Sequence, residues 1–194
     1  MKNLFSKAGI AVCGAVLATG VALAGCGAAA PAVQSRSDGA IYLMNGDTGI
    51  QYDPASALEW NVSTSAVLSS VPVPTLPTDF EPLRLPPPGQ DAVDWVSFIS
   101  AVGSERDRSA WKSWGDTVPL DGKGPLLPTV FPGYLGNGEP KAVQTSGGTF
   151  SMGVAYLSSG DLRVVSAYFT TIQVTAGSGT WTFITPKPTT EATK

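Results

Sequence analysis

The chain has 194 residues, two cysteines and no histidine, and its 15 acidic residues outnumber its 12 basic ones. Without histidine it lacks the usual general base near neutral pH and the commonest transition-metal ligand. We therefore expect no metal site, no other cofactor, and no hydrolase of the Ser-His or Cys-His type. The acidic balance also argues against a nucleic-acid partner, because that binding needs clustered Lys and Arg.

The first 25 residues have the layout of a secretory signal peptide. Lys2 and Lys7 precede an uncharged run of small and apolar residues from Ala8 to Gly25. A positive start, an apolar middle and small residues at the end are typical of an export signal. The run is also long enough to span a bilayer, so an uncleaved membrane helix is the alternative. Its many Ala and Gly residues bury little apolar surface, which favours cleavage.

The signal ends in Leu23-Ala24-Gly25-Cys26, which resembles the lipobox of bacterial lipoproteins. The resemblance implies that the Cys26 sulfur receives a diacylglyceryl group and that a peptidase cuts before this residue. A chance cysteine at an ordinary cleavage site is the alternative. Each buried CH₂ contributes about 0.8 kcal/mol, and more than one chain is needed for stable anchoring. The resemblance therefore implies an extracytoplasmic protein held to the cell membrane, at the cell surface, by lipid on Cys26.

The part after the cut is predicted to be one domain without a disulfide, since Cys13 leaves with the signal and Cys26 is lipidated. Ten basic and 15 acidic residues remain, a net charge of −5. Residues 26–38 are small and polar and are predicted to form a flexible tether, and 187–194 a disordered tail. Residues 39–186 are enough to bury a core by packing alone.

The front of this domain contains strand patterns and then many prolines. Ala40 to Met44 is apolar and leads into Asn45-Gly46, a strong turn dipeptide, and Ala57 to Ser70 shows the alternation of a strand. The proline-rich stretch 71–90 is excluded from any central strand. It is interpreted either as an extended segment along or between sheets or as a linker.

The middle is predicted to contain a strand and a helix. Asp94 to Ser100 has strand composition. Ser104 to Trp114 is the one stretch predicted to be helical, with Ser109 as a possible cap. Trp111 and Trp114, three residues apart, would share a helix face and close one end of the core.

The back of the chain predicts three antiparallel strands. Apolar or β-branched runs cover 150–157, 162–175 and 180–185, and turn residues at 158–161 and Gly177 to Gly179 separate them. In the last run Trp181 and Phe183 would face the same side. Such a meander favours an all-β fold, an antiparallel β-sandwich.

A second resemblance lies in several segments between Asp94 and Pro186. These segments are Trp111-Lys-Ser-Trp114, Val118-Pro-Leu120, Leu127-Pro-Thr129, Gly147 to Tyr156, Val165 to Val174 and Gly179-Thr-Trp-Thr-Phe183. Together they resemble the immunoglobulin-like modules of actinobacterial surface proteins. The resemblance implies a sandwich displayed at the cell surface and brings no catalytic residues, and it leaves residues 40–90 uncovered.

Two short motifs point weakly to chemistry. Ser109-Ala-Trp-Lys112 has the Ser-x-x-Lys spacing of penicillin-binding proteins, but their other two elements are missing and a capping serine explains it better. Asn45 to Gly49, with Asp53 beyond, has alternating oxygen donors but too few carboxylates for a calcium loop. The remaining carboxylates show no spacing that singles out a catalytic pair.

The function that these observations favour is a non-enzymatic, lipid-anchored surface module for binding, adhesion or envelope structure. Aromatic rings can stack on sugars or anchor a protein, so the candidate binding residues are Trp111, Trp114 and Tyr134. A core role for most of the aromatics is the alternative. A carboxylate-based cell-wall glycan hydrolase and a small solute-capturing lipoprotein are the other functions considered.

Overall fold

The computed structural model describes residues 36–54, 56–61, 66–160 and 162–184. Within these ranges β-strand is the predominant regular structure and forms two antiparallel sheets, which confirms the predicted all-β sandwich. No helix in these ranges is long and apolar enough to cross a bilayer. The predicted signal peptide with its helix, the Leu23-to-Cys26 lipobox and the tail from residue 187 lie outside the described residues.

The smaller sheet is built around the predicted Asn45-Gly46 turn. The Asn45 carboxamide oxygen accepts hydrogen bonds from the backbone N–H groups of Asp47 (2.9 Å) and Thr48 (3.1 Å), so it closes the turn. Its strands are β1 (Tyr42–Asn45), β2 (Ile50–Gln51) and β3 (Ala66–Ser69). They lie in the order β2-β1-β3.

The larger sheet is built from β4 (Ala92–Ala101), β5 (Trp111–Trp114), β6 (Val118–Pro119), β7 (Asn137–Gly138), β8 (Gly148–Ser158), β9 (Val164–Val174) and β10 (Trp181–Phe183). Its order among the described strands is β10-β9-β8-β4-β5-β7, and β6 pairs with β4. It contains the predicted meander, since β8, β9 and β10 pair in sequence. Trp181 and Phe183 are both buried, as the alternation predicted.

The predicted helix over Ser104–Trp114 is wrong. Only Arg108–Ala110 forms a 3₁₀ turn, and its cap is Asp107, whose carboxylate accepts from the Ser109 N–H. The chain then pairs with β4 as strand β5. Pairing prevails because it lets Trp111 stack on Phe98 at 4.7 Å, and aromatic residues pack well on a pleated surface.

The described α-helix was not predicted. Helix α1 (Pro140–Ser146) begins with proline, whose fixed φ suits the first helical turn, and Gly147 ends it at a φ of 60°. It has only seven residues, too few for a clear 3.6-residue periodicity. Two further 3₁₀ turns lie at Glu81–Leu83 and Pro132–Tyr134.

The main core lies on the face of the large sheet towards the small one. It joins residues of both sheets, such as Leu43 and Leu68 with Ile99 and Tyr156. Residues 40–90 therefore contribute to the same core as the back of the chain. Burial raises the pKa of the Tyr156 hydroxyl, which donates to the Pro86 carbonyl at 2.7 Å.

The opposite face of the large sheet is covered as well. A second cluster contains Val96 and Phe98 of β4 and Ala155 and Leu157 of β8, with Trp111 packed on it. Strand β8 is consequently buried at every position from Ser151 to Ser158. This explains why its sequence is a continuous apolar run without alternation.

The proline-rich stretch is packed on the domain. Val73, Leu83 and Leu85 are buried. The Val73 carbonyl accepts from the Gln51 N–H at 2.8 Å, and the Leu85 N–H donates to Pro125 at 3.1 Å. Prolines lack an N–H but keep an acceptor, and this stretch accordingly bonds through its carbonyls and its non-proline amides.

Candidate functional site

The three aromatic candidates do not converge on one surface. Trp111 is 5% exposed, its ring stacks on Phe98, and its indole N–H donates to the Glu105 carbonyl at 3.0 Å. Trp114 is half-buried against the second cluster. Tyr134 is 49% exposed. Trp111 is thus a core residue, and of the three only Tyr134 offers an open ring to a ligand. The predicted lipidation residue, Cys26, lies outside the described ranges.

Tyr134 lines a cleft of about 240 Å³, here called the Tyr134 cleft. The ring lies beside Phe131, with 5.7 Å between their centroids. The Asn137 carboxamide donates to the Gly115 carbonyl at 3.3 Å. The lining residues are Gly115, Asp116, Tyr134, Gly136 and Asn137.

A second cleft, of about 370 Å³, surrounds Trp60 and is called the Trp60 cleft. Its near wall is held by Leu58, which exchanges two backbone hydrogen bonds of 2.8 Å with Trp181. The Trp181 indole N–H also donates to the Glu59 carbonyl at 3.0 Å. These bonds hold the backbone of Leu58 and Glu59 against Trp181 of β10. The lining residues are Glu59, Trp60, Asn61, Gln144, Ser178 and Thr180.

The far wall of the Trp60 cleft depends on Gly179. A Cβ there would lie 2.6 Å from Gln144 Cγ and 2.9 Å from Trp60 Cε3, and the residue has a φ of 73°. Both facts favour glycine. The lack of a side chain lets the Trp60 ring and the α1 residue Gln144 pack closely over the turn between β9 and β10.

The Trp60 cleft has the chemistry of a site for a hydroxyl-rich, uncharged ligand. It combines one indole, one carboxylate, two carboxamides and two hydroxyls, with no Lys or Arg among its lining residues. Carboxamides and hydroxyls both donate and accept hydrogen bonds, and an aromatic ring packs against apolar C–H surface. The volume is at the small end of the range for ligand pockets, roughly 300–1,000 Å³.

The sequence did not predict Trp60, Gln144, Ser178 or Thr180 as binding residues. These residues come from segments far apart in the chain. The pairing of Leu58 with Trp181 brings two of these segments together, and the Gly177 N–H, which donates to the Gln144 carbonyl at 3.0 Å, brings the third. Small polar residues in turns are common, so no local signal marks them. The Gly177-Ser-Gly179 turn was predicted, but its role as a cleft wall was not.

The Ser-x-x-Lys motif lacks the geometry for nucleophilic catalysis. The Ser109 hydroxyl donates to the Asp107 carboxylate at 2.6 Å. Lys112 lies on strand β5 and not on a helix with Ser109. Ser109 and Lys112 therefore do not share a helix face, which a proton transfer from the serine to the lysine would require. The Asn45 side-chain oxygen likewise accepts hydrogen bonds within its own turn. No three His, Cys, Asp or Glu side chains of the described ranges converge to hold a metal ion.

The chain was compared with protein families, curated proteins and solved structures. No family model matches the chain, and neither curated proteins nor solved structures give a significant match.

Proposed function

We propose that the protein is a lipid-anchored, extracytoplasmic binding module that takes an uncharged envelope glycan in its Trp60 cleft without transforming it. The proposed ligand binding is supported by the composition of that cleft, in which a half-buried indole lies among two carboxamides, two hydroxyls and one carboxylate. The Leu23-to-Cys26 motif supports the anchoring half. The immunoglobulin-like resemblance supports display at the cell surface.

The cleft supports binding more than hydrolysis. Most glycosidases use two carboxyl groups on either side of the scissile bond, and Glu59 is the one carboxylate among the cleft's lining residues. Glu105 is buried, at 1% exposure, and cannot reach a polymer. The cleft therefore offers contacts that hold a sugar but no second group to protonate or attack it.

Co-sedimentation of the full-length chain, purified in detergent, with insoluble polysaccharides tests the proposal. The probes are chitin, cellulose and purified bacterial sacculi. We expect Trp60→Ala to weaken binding about 10-fold or more, because a central aromatic anchor commonly contributes 2 kcal/mol or more. Gln144→Ala should weaken it less. Binding should survive raised salt, since no ion pair is involved.

The control variants are Phe80→Ala, an exposed ring elsewhere on the surface, and Gln90→Ala, a carboxamide of a different surface cleft. Both should bind as the native protein does. Trp60→Phe keeps an aromatic ring and should retain more binding than Trp60→Ala. Circular dichroism checks that each variant is folded. If native protein binds none of the probes, or if Trp60→Ala binds equally well, the glycan proposal is wrong.

A further inference from the structure

The Trp60 and Tyr134 clefts adjoin through a single residue. The Gly133 N–H donates to the Trp60 carbonyl at 3.1 Å, and Tyr134 is the next residue along the chain. A Cβ at position 133 would lie 2.0 Å from Oδ1 of Asn61. The Asn61 carboxamide, a wall of one cleft, therefore lies directly against the turn that carries the ring of the other.

The two clefts have matching chemistry. Each has one aromatic ring, one carboxylate and at least one carboxamide: Trp60, Glu59 and Asn61 in the first, and Tyr134, Asp116 and Asn137 in the second. Neither has Lys or Arg among its lining residues. The repeated composition indicates that they recognise the same kind of chemical unit.

We infer that the two clefts are neighbouring subsites for successive units of one linear, hydroxyl-rich polymer. The inference rests on the proposed glycan-binding function and extends it to the length and charge of the ligand. With volumes of about 370 and 240 Å³, each cleft is small for a ligand pocket and suits one unit of a chain better than an oligomer. A chain that reaches both gains from the high effective concentration of its second unit.

The charges of the clefts specify the polymer further. Glu59 and Asp116 each place a carboxylate at a subsite, and no lining cation balances either one. An anionic unit, such as a uronate or a sugar phosphate, would face like charge at both positions. The preferred ligand is therefore a neutral polysaccharide.

Isothermal titration of the full-length chain in detergent with chito-oligosaccharides, from the dimer to the octamer, tests this. We expect a step of about 100-fold in affinity at the length that first spans both clefts. Tyr134→Ala should abolish the step, because the second subsite loses its aromatic ring. Tyr134→Phe, which keeps the ring, should retain most of the step, and Phe80→Ala should retain all of it. Oligogalacturonates of equal length should bind more weakly.

The outcomes separate the two proposals. A length-dependent step that needs the Tyr134 ring supports the joined subsites. Binding that requires Trp60 but shows no step, or a step unaffected by Tyr134→Ala, overturns them and leaves the single-cleft function standing. Absence of binding at every length, together with no retention on the insoluble probes, overturns both.

Discussion

At the scale of single residues, Glu105 is the most unusual side chain among those described. It is buried, and one carboxylate oxygen accepts from the Gly103 N–H at 2.9 Å and from the Ser151 hydroxyl at 2.6 Å. The other oxygen, Oε2, and the nearby Ser100 hydroxyl have no hydrogen-bond partner within the described ranges. Ser100 and Ser151 are register partners on β4 and β8. Glu105 thus ties the turn after β4 to strand β8.

Substitutions at Glu105 separate its role as an acceptor from its charge. Glu105→Ala should lower the free energy of unfolding by about 3 kcal/mol, because the Gly103 N–H and the buried Ser151 hydroxyl lose their acceptor. Glu105→Gln keeps that acceptor and adds a donor, so it should stay within about 1 kcal/mol of the native protein. Urea denaturation followed by tryptophan fluorescence measures both. Glu139→Ala, at an exposed glutamate, is the control. Equal losses for Ala and Gln would mean that the charge itself is needed.

At the scale of elements, the free edge of β9 is closed by the segment that precedes β1. Among the described residues, strand β10 pairs with β9 from Ile172 to Val174, and the Ile184 N–H donates to the Thr171 carbonyl at 2.9 Å. Beyond that, the Asp38 carboxylate accepts from the Ala167 N–H at 2.8 Å, and the Asp38 N–H donates to the Ala167 carbonyl at 2.9 Å. An uncovered edge is a template for pairing with other chains. The end of the predicted tether, residues 36–38, therefore covers a sheet edge.

Asp38→Ala should lower the free energy of unfolding by about 1–2 kcal/mol and speed amide exchange at Ala167. Asp38→Asn, which keeps an oxygen acceptor, should lose less. Asp38 also pairs with Arg106 at 2.5 Å, but both side chains are more than a third exposed. Arg106→Ala should accordingly cost no more than about 1 kcal/mol. If Arg106→Ala equals Asp38→Ala, the ion pair rather than the edge contact holds this segment.

At the scale of the whole molecule, anchoring and ligand binding are proposed to lie in different parts of the chain. The lipid would be attached at Cys26, while the clefts belong to the β-sandwich. A net charge of −5 after cleavage gives little attraction to anionic lipid. The covalent lipid would therefore supply the membrane affinity.

Cys26→Ser should abolish fatty-acid labelling in a bacterial host and shift the cleaved domain from the membrane to the soluble fraction. Cys13→Ser, which changes the cysteine inside the predicted signal, should leave labelling and partition as in the native protein. Metabolic labelling with an alkyne fatty acid and detergent-phase partition provide the two readouts. Labelling that persists in Cys26→Ser would place the lipid elsewhere or contradict the lipobox.

Local patterns in the sequence were sufficient for the strands of the back half. Strands β4, β8, β9 and β10 lie within runs of β-branched and aromatic residues that are bounded by turn residues. Such runs have strong strand propensity, and the turns between them restrict how the strands can pair. The Asn45-Gly46 turn formed for the same local reason. The export signal and the lipid anchor also follow from local sequence, and they stay predictions.

Tertiary contacts decided what local patterns could not. Trp111 and Trp114 had been assigned to a helix face, but pairing with β4 and stacking on Phe98 placed them on a strand. The Trp60 cleft draws its walls from segments some 120 residues apart, brought together by the Leu58–Trp181 pairing. Periodicity shows which residues share a face. It does not show which distant segment covers that face, because this depends on the sum of non-local packing and hydrogen bonds.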